Sequence, residues 1–330
     1  MCTWQNSMFS LSAQAGAKVS MFELRQYLLL FLTATIWGTG FIGQKLGMDH
    51  VSPFTFTFYR TFIGGLFLIP VILTLRKIKS GGRPMLRPSS GRHLLWGSLS
   101  CGACLIVAES FQQFGLTTTD VTKASFVTSM YLIFVPLLGI FIGSLPSLKN
   151  LFCVGLSVAG LYLLCLQQGS FAIERGDLLV LIGAVCFAVH ILVIAHFINY
   201  VDGVLLSCGQ FFVASALGFV MLCISGFDSW ENIRAAAGAI VYTGVMSNGI
   251  AYTLQIVGQR GINPTIATLI MSLESVMGAL FGVVLLDESL TFRQFTGCLL
   301  MFAAVLLAQI PLRALLLRRA VKGHQERPSA

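Results

Sequence analysis

The chain has 330 residues, of which 56% are hydrophobic and only 10% are charged, whereas soluble domains carry about 25% charged residues. So little charge cannot cover a water-facing surface, which excludes a soluble globular fold and indicates a mostly lipid environment. The net charge of +8 does not indicate a nucleic-acid partner, because the basic residues lie between apolar segments and are not interleaved with aromatic residues on one domain face.

The first 26 residues contain no uninterrupted apolar stretch after a basic start, so they predict no cleaved signal peptide. We interpret residues 1–26 as a cytoplasmic N-terminal tail. Met21 precedes the first apolar span and is an alternative start of the chain.

Ten apolar segments follow, each near the length of about 20 residues that a membrane-spanning helix needs. They cover residues 27–47, 54–75, 93–116, 122–143, 149–166, 177–198, 203–226, 235–258, 264–286 and 291–312. Backbone groups in hydrocarbon need partners within their own segment, and these segments are apolar all round, so they predict helices and exclude a barrel. The sequence therefore predicts an all-α integral membrane protein with ten transmembrane helices.

Lysine and arginine predict the orientation of these helices. With the N-terminus inside, the inner loops and tails hold 15 of the 21 basic residues, including those of a basic C-terminal tail at 313–330. This bias follows the positive-inside rule, so we expect a multi-pass protein with both termini cytoplasmic. The basic loop at 79–92 is too short to fold, and we expect it to set topology, with a weak contribution from contact with anionic lipid.

An internal repeat relates the two halves of the chain. A shift of 143 positions gives seven identities in 32 ungapped positions, where composition alone gives roughly two. The identical pairs are Ala108 and Ala251, Gln112 and Gln255, Gly115 and Gly258, Thr122 and Thr265, Ala124 and Ala267, Ser129 and Ser272, and Gly139 and Gly282. Each half, 27–166 and 177–312, holds five helices, an odd number. The halves are therefore predicted to be inverted-topology repeats with a central site between them.

Several motifs occur in the same order as in a known family. They are WGTGFIGQKLG at 37–47, FYRTFIGGLFLIP at 58–70, AYTLQ at 251–255, NPTIATLIMSLESV at 263–276 and LLDESLT at 285–291. With these motifs the chain resembles the drug/metabolite transporter superfamily, in its ten-helix bacterial type with two EamA domains. It departs from the family where Ser275 replaces the usual proline, and at 143–146, where a glutamate-bearing turn is missing. The resemblance implies a secondary transporter of amino acids, other metabolites, nucleotide sugars or drugs.

Two charged residues are predicted to lie at one depth within the membrane. Arg60 is six residues from the outer end of the second span, and Glu109 is seven from the outer end of the third. A buried charge costs about 2.5–3.5 kcal/mol on insertion scales, so such charges pair or line water. Arg60 and Glu109 either face the pathway, with Arg60 receiving a carboxylate or phosphate, or form a structural ion pair.

Glu274 lies ten residues into the ninth span, near the midplane, and no basic residue is expected at its depth. Burial disfavours the charged form of such a carboxyl group. Three roles remain open: a proton carrier, an acceptor for a substrate amine, or a protonated group bonded to a helix carbonyl.

The repeat and the helix midpoints indicate further candidates. Gln112 and Gln255 are repeat-related and either bind one substrate from both sides or bond between helices. Tyr252 is the repeat equivalent of Glu109 and is expected toward the inner side. Trp37 and His190 fall near the middle of their spans, where a lone histidine is often simply packed.

The sequence contains no GxSxG, zinc-binding or P-loop motif, so we predict no catalytic residues, metal or cofactor, and no ATP-driven transport. The interpretation is a secondary active transporter that exports or exchanges amino acids or similar small polar metabolites by alternating access. Efflux of amphipathic drugs is the alternative, and a membrane-embedded enzyme a distant one. Expected partners are the small-molecule substrate and the lipid bilayer, with proton coupling left open and either a monomer or a homodimer.

Overall fold

The computed structural model describes residues 20–80, 83–84, 86–119, 121–141, 143, 146–165, 175–286 and 291–309. Three predicted features lie outside these residues: most of the N-terminal tail, the acidic turn at 287–288 and the C-terminal tail at 313–330.

In its described residues, the first half consists of helices, their connecting loops and one short ladder of two-residue strands. Its helices are α1 (Met21–Met48), α2 (Pro53–Lys77), α3 (Gly91–Leu116), α4 (Val121–Thr128), α5 (Tyr131–Phe141) and α6 (Leu148–Cys165). The strands β1 (Lys79–Ser80) and β2 (Arg83–Pro84) pair antiparallel between α2 and α3.

The second half repeats this order without strands in its described part. Its helices are α7 (Arg175–Phe197), α8 (Gly203–Ser225), α9 (Trp230–Ala235), α10 (Ala237–Tyr242), a π-helical segment (Thr243–Tyr252), α11 (Thr253–Gln259), α12 (Pro264–Met271), α13 (Glu274–Leu286) and α14 (Phe292–Gln309).

The helices have the length and composition that a bilayer requires. Seven stretches of the described chain are long and apolar enough to cross a membrane, and two further apolar helices, Leu148–Leu163 and Phe292–Ala308, are shorter. The predicted eighth span is divided among α9, α10, the π-helical segment and α11. The protein is therefore an all-α, multi-pass membrane protein.

The first helix begins earlier than its apolar pattern predicts. Ser20 Oγ accepts from the Glu23 N–H, and the Glu23 carboxylate accepts from the Ser20 N–H, which is a capping box. Helix α1 therefore starts at Met21, and residues 21–26 belong to it and not to the predicted tail.

The second helix is anchored at its start by the loop after α8. The N–H and the hydroxyl of Ser52, the N-cap of α2, both donate to Asp228 Oδ2, at 2.9 and 2.7 Å. Burial alone would raise the pKa of Asp228, but hydrogen bonds from Thr55 and Ser52 outweigh it and lower the pKa below its ordinary value. The anchor is therefore charged at neutral pH, and it is lost only when the pH falls through that lowered pKa.

The loop at 79–92 is more ordered than predicted. Beyond the β1–β2 ladder, Leu86 is buried, and the Arg87 N–H donates to Asp202 Oδ2 at 3.0 Å. Asp202, the N-cap of α8, thus supplies this short loop with a partner from the other half of the chain.

Two predicted spans are broken at equivalent positions of the repeat. The break between α4 and α5 falls at Ser129 and Met130, and the break between α12 and α13 falls 143 positions later, at Ser272 and Leu273. At both breaks the chain tightens to i→i+3 hydrogen bonds, from Met130 N–H to the Val127 carbonyl and from Leu273 N–H to the Ile270 carbonyl. The prediction of single helices over 122–143 and 264–286 is wrong at these points.

The packing between the halves follows the same repeat: α3 packs on α7 as α11 packs on α1. Gly115 of α3 lies against Gly176 and Val180 of α7, and Gly258 of α11 lies against Gln26 and Leu30 of α1. Residues of α1 thus correspond to residues 150 positions later in α7, as Ser52 and Asp202 do at the N-caps of α2 and α8. The two helical repeats are related in this way around a central interface.

Gly102 is expected to be intolerant of any side chain. A Cβ there would lie 2.6 Å from Val213 Cβ and 2.7 Å from the Gln210 carbonyl oxygen. Overpacking of this kind costs about 1–3 kcal/mol of folding free energy. Gly102→Ala should therefore lower the melting temperature in detergent. Gly155→Ala is the matched control, because a Cβ at that helical position meets no described atom within 4 Å. Equal melting temperatures for the two variants would contradict the packing argument.

Candidate functional site

A small cavity lies at the interface between the halves. Its volume is about 30 Å³, which is room for one or two water molecules. Six of the eight predicted site residues line it. The lining residues are Trp37, Phe41, Gln44, Arg60, Gln112, Thr128, Tyr131, Phe187, Ile191, Ser247, Tyr252, Gln255 and Glu274.

Arg60 and Glu109 lie together in the interior, as their matching depths predict. Arg60 Nη2 is 3.3 Å from Glu109 Oε2, and the side chains are 2% and 0% exposed. Asn248 Nδ2 also donates to Glu109 Oε1 at 3.4 Å. Arg60 Nε is buried and hydrogen-bonds no atom of the described residues. Arg60 thus retains donor capacity at the cavity while Glu109 balances its charge.

Glu274 is the first residue of α13, directly after the helix break. Its Oε1 accepts from Ser129 Oγ and from the Tyr131 hydroxyl, both at 3.2 Å. Ser129 Oγ lies 2.9 Å from Ser275 Oγ, which in turn donates to the Ser125 carbonyl at 3.2 Å. These hydroxyl groups join α4 and α5 to α13, so the two helix breaks meet at Glu274.

Arg60 lines the same small cavity as Glu274, although the two residues lie on separate helices. The hydrogen bonds that Glu274 accepts come from Ser129 and Tyr131 and not from Arg60. The expectation that no basic residue lies at the depth of Glu274 stays a prediction.

Each of the two carboxyl groups of the site lies beside a tyrosine from the other half of the chain. Tyr131 is the repeat equivalent of Glu274 and donates to it. Tyr252 is the repeat equivalent of Glu109 and lies close enough to interact with it electrostatically. The two halves are thus related in backbone position but differ in side chains, because each glutamate has a tyrosine as its repeat equivalent.

Gln112 and Gln255 differ although they are repeat-related. Gln112 Nε2 donates to Thr128 Oγ1 at 3.0 Å, which is a bond between helices of one half. The position equivalent to Thr128 is Met271, which offers no hydroxyl. Gln255 Oε1 is buried and bonds no atom of the described chain. Gln255 therefore has a carbonyl oxygen at the cavity that bonds no described residue, as Gln44 also does.

Trp37, Tyr252 and His190 form an aromatic group beside the cavity. The Trp37 and Tyr252 rings pack edge to face with centroids 4.8 Å apart, so Tyr252 lies at the interface between the halves. His190 is fully buried, its Nε2 lies 3.0 Å from Gln210 Oε1, and its ring packs on Tyr252 at 6.1 Å. His190 does not line the cavity and contacts it through Tyr252.

The sequence matches the EamA-like transporter family twice, over residues 24–166 and 174–309. The chain belongs to this family. A transporter of Archaeoglobus fulgidus that is named as uncharacterised is 28% identical over 300 residues, 90% of each chain. The uncharacterised transporter YoaV of Bacillus subtilis is 23% identical over 281 residues, 82% of this chain and 91% of YoaV.

A protein of known crystal structure has the same fold. It superposes with a TM-score of 0.70 at 19% identity, over 88% of this chain and 98% of that one. This likeness shows the fold alone and carries no information on cargo.

Some residues of the transporter's cavity were missed by sequence reasoning. Tyr131 could have been found, because the shift of 143 places it opposite Glu274. Gln44 could also have been found, since it follows Trp37 by two helical turns within the first motif. Ser247 and Asn248 lie in the π-helical segment, for which the sequence offers no periodic signal.

Proposed function

We propose that this EamA-family transporter carries a small zwitterionic metabolite, an amino acid or a similar compound, across the inner membrane. It exports or exchanges this cargo by alternating access, with both of its termini in the cytoplasm. The observation that carries the proposal is the presence of Arg60 and Glu274 on one buried cavity between the repeats.

Arg60 is the group suited to the carboxylate of the cargo. A guanidinium has five N–H donors, and only Nη2 lies against Glu109 in the ion pair. Arg60 Nε is among the buried donors that bond no described residue. An incoming carboxylate would therefore gain a charge-assisted hydrogen bond without displacing Glu109.

Three side chains of the cavity can accept hydrogen bonds from the ammonium group of the cargo. Glu274 supplies a carboxyl group, and Gln44 Oε1 and Gln255 Oε1 are buried carbonyl oxygens that bond no described atom. An ammonium group has three donors and no acceptor. One cargo ammonium would satisfy these oxygens together.

The cavity is too small for the proposed cargo. Its volume of about 30 Å³ holds one or two water molecules, so cargo binding would require the halves to move. The breaks at Ser129 and Ser272 flank the cavity and have tightened hydrogen bonds. Bending of the fourth and ninth spans at these breaks would open the site to one side at a time.

Counterflow in proteoliposomes tests the cargo class. Vesicles loaded with an unlabelled amino-acid mixture should take up labelled zwitterion, and unlabelled zwitterions should compete. The matching amine without a carboxylate and the acid without an amine should compete at least about tenfold more weakly, because each leaves one buried partner unsatisfied. Liposomes without protein are the control. Equal competition by all three compounds would overturn the zwitterion proposal.

Efflux of amphipathic drugs is the second candidate, and the aromatic wall of the cavity favours it. Trp37, Phe41, Tyr131, Phe187 and Tyr252 all line the site. Competition by amphipathic organic cations, with none by zwitterions, would assign this function instead.

A further inference from the structure

A second and larger recess lies at the end of the molecule where α1 begins and α11 ends. Its volume is about 860 Å³, within the range of about 300–1,000 Å³ of ligand sites. Apolar side chains of α5 and α7 form its wall, and His196, Asn199 and Gln259 are polar members of its lining.

This recess is not on the route through the central cavity. Phe187 and Ile191 of α7 line the cavity, whereas Val189, Val193 and His196 of the same helix line the recess. At 3.6 residues per turn these two sets lie on opposite faces of the helix. Val189 is also 38% exposed on the outer surface of the protein. The recess therefore opens toward lipid.

Gln259 brings an unsatisfied polar group into the recess. Its side chain is 2% exposed, and neither its Oε1 nor its Nε2 hydrogen-bonds any described residue. Leaving a buried amide without partners is costly, so such groups are normally satisfied. A ligand with polar groups at this depth would satisfy it.

Positive charge collects beside Gln259. Arg260 follows it directly, and Arg25 and Arg87 lie close enough to act electrostatically on Arg260. Burial, followed by the repulsion of these two arginines, lowers the pKa of Arg260, and Asp202 partly offsets this. Three arginines against one aspartate leave an excess of positive charge, which an anion would relieve.

Aromatic residues mark this end of the molecule as the level of the lipid headgroups. Tyr200 stacks on His93 at 4.9 Å and packs near His196 at 5.5 Å, and both Tyr200 and Trp96 are exposed. Trp and Tyr are enriched at the membrane–water interface. The recess thus reaches from headgroup level toward the acyl chains.

We propose that this recess is a binding site for an anionic phospholipid of the leaflet at this end. The phosphate lies against Arg260 and Gln259, and an acyl chain lies along Leu138, Phe141 and Val193. The site is distinct from the central cavity and independent of the cargo. Basic pockets between helices at the cytoplasmic side suit such headgroups.

Native mass spectrometry of the detergent-purified full chain tests this proposal. The protein is mixed with equal amounts of phosphatidylglycerol and phosphatidylcholine that carry the same acyl chains. Phosphatidylglycerol should be retained preferentially. Arg260→Ala should reduce its retention about fivefold, as expected for one basic residue near a phosphate. Arg76→Ala is the matched control, since Arg76 is an exposed arginine in the last turn of α2, whereas Arg260 lies between the lining residues Gln259 and Gly261.

Steric variants test the acyl-chain part of the site. Val193→Trp should fill the recess and reduce retention of both lipids, whereas Val220→Trp, on an exposed face of α8, should change neither. Ser100→Phe fills the recess from α3 if Val193→Trp does not fold. Equal retention of both lipids by the parent would overturn the proposal. Displacement of bound lipid by inorganic phosphate alone would assign the site to free phosphate and overturn it as well.

Discussion

Glu274→Gln is expected to abolish cargo accumulation driven by a pH gradient while leaving cargo exchange close to the parent rate. Glutamine keeps the size of the side chain and an oxygen that can accept from Ser129 and Tyr131. It cannot gain or lose a proton. Because Glu274 lines the central cavity at the break before α13, it is placed to contact each side as the halves move. We propose that this carboxyl group couples proton movement to cargo.

Proteoliposomes with an imposed pH gradient measure the coupling, and counterflow without a gradient measures exchange. Ser275→Ala is the matched control, because it removes a hydroxyl group bonded to Ser129 and Ser125 but leaves the carboxyl group. It should still accumulate cargo. The glutamine oxygen can still accept from the cargo ammonium, so loss of exchange in Glu274→Gln would show that cargo binding needs the charge of Glu274 and would contradict the expected result. Normal accumulation by that variant would show a structural role and end the coupling hypothesis.

Arg60→Lys is expected to weaken cargo affinity by about tenfold or more, because a lysine cannot reproduce the planar guanidinium and hydrogen bonds to charged groups are worth about 1.5–3 kcal/mol. The variant should remain folded, since a positive charge still faces Glu109 across the pair. Binding to purified protein and its melting temperature separate the two effects. Arg76→Lys, at an exposed position, should alter neither.

Arg60→Ala should impair folding, since it leaves Glu109 as a buried charge without its partner, a change that costs about 3–5 kcal/mol. Adding Glu109→Ala should restore part of the lost stability. This rescue together with normal transport by Arg60→Lys would identify the pair as structural only. Rescue of folding without rescue of transport would support a role in binding.

Much of the candidate site could be predicted because the hydrocarbon of the bilayer disfavours polar and charged side chains. Charged and amide side chains in apolar spans are costly, so Arg60, Glu109, Gln112, Gln255 and Glu274 were expected in the interior, and all five are buried there. The sequence also related the two halves through a shift of 143, which the positions of the helix breaks follow. Their roles in transport stay predictions.

The partners of these side chains could not be predicted. Gln112 donates a hydrogen bond to Thr128. Gln255 cannot make the equivalent bond, because the residue equivalent to Thr128 is Met271. Arg60 and Glu274 share one cavity although their depths along separate helices differ. Such contacts depend on how helices rotate, tilt and break against one another, which a count along one helix does not contain.

Composition and periodicity by themselves determined that this protein spans a membrane as two helical repeats, since the absence of water in the bilayer allows few other solutions. The tertiary structure alone decided where the spans break, that the π-helical segment forms, and which hydroxyl groups meet Glu274. It also decided that a lipid-facing recess lies behind α7. These features arise from side-chain packing between helices distant in sequence. The hydrophobicity of a single span carries no information on that packing.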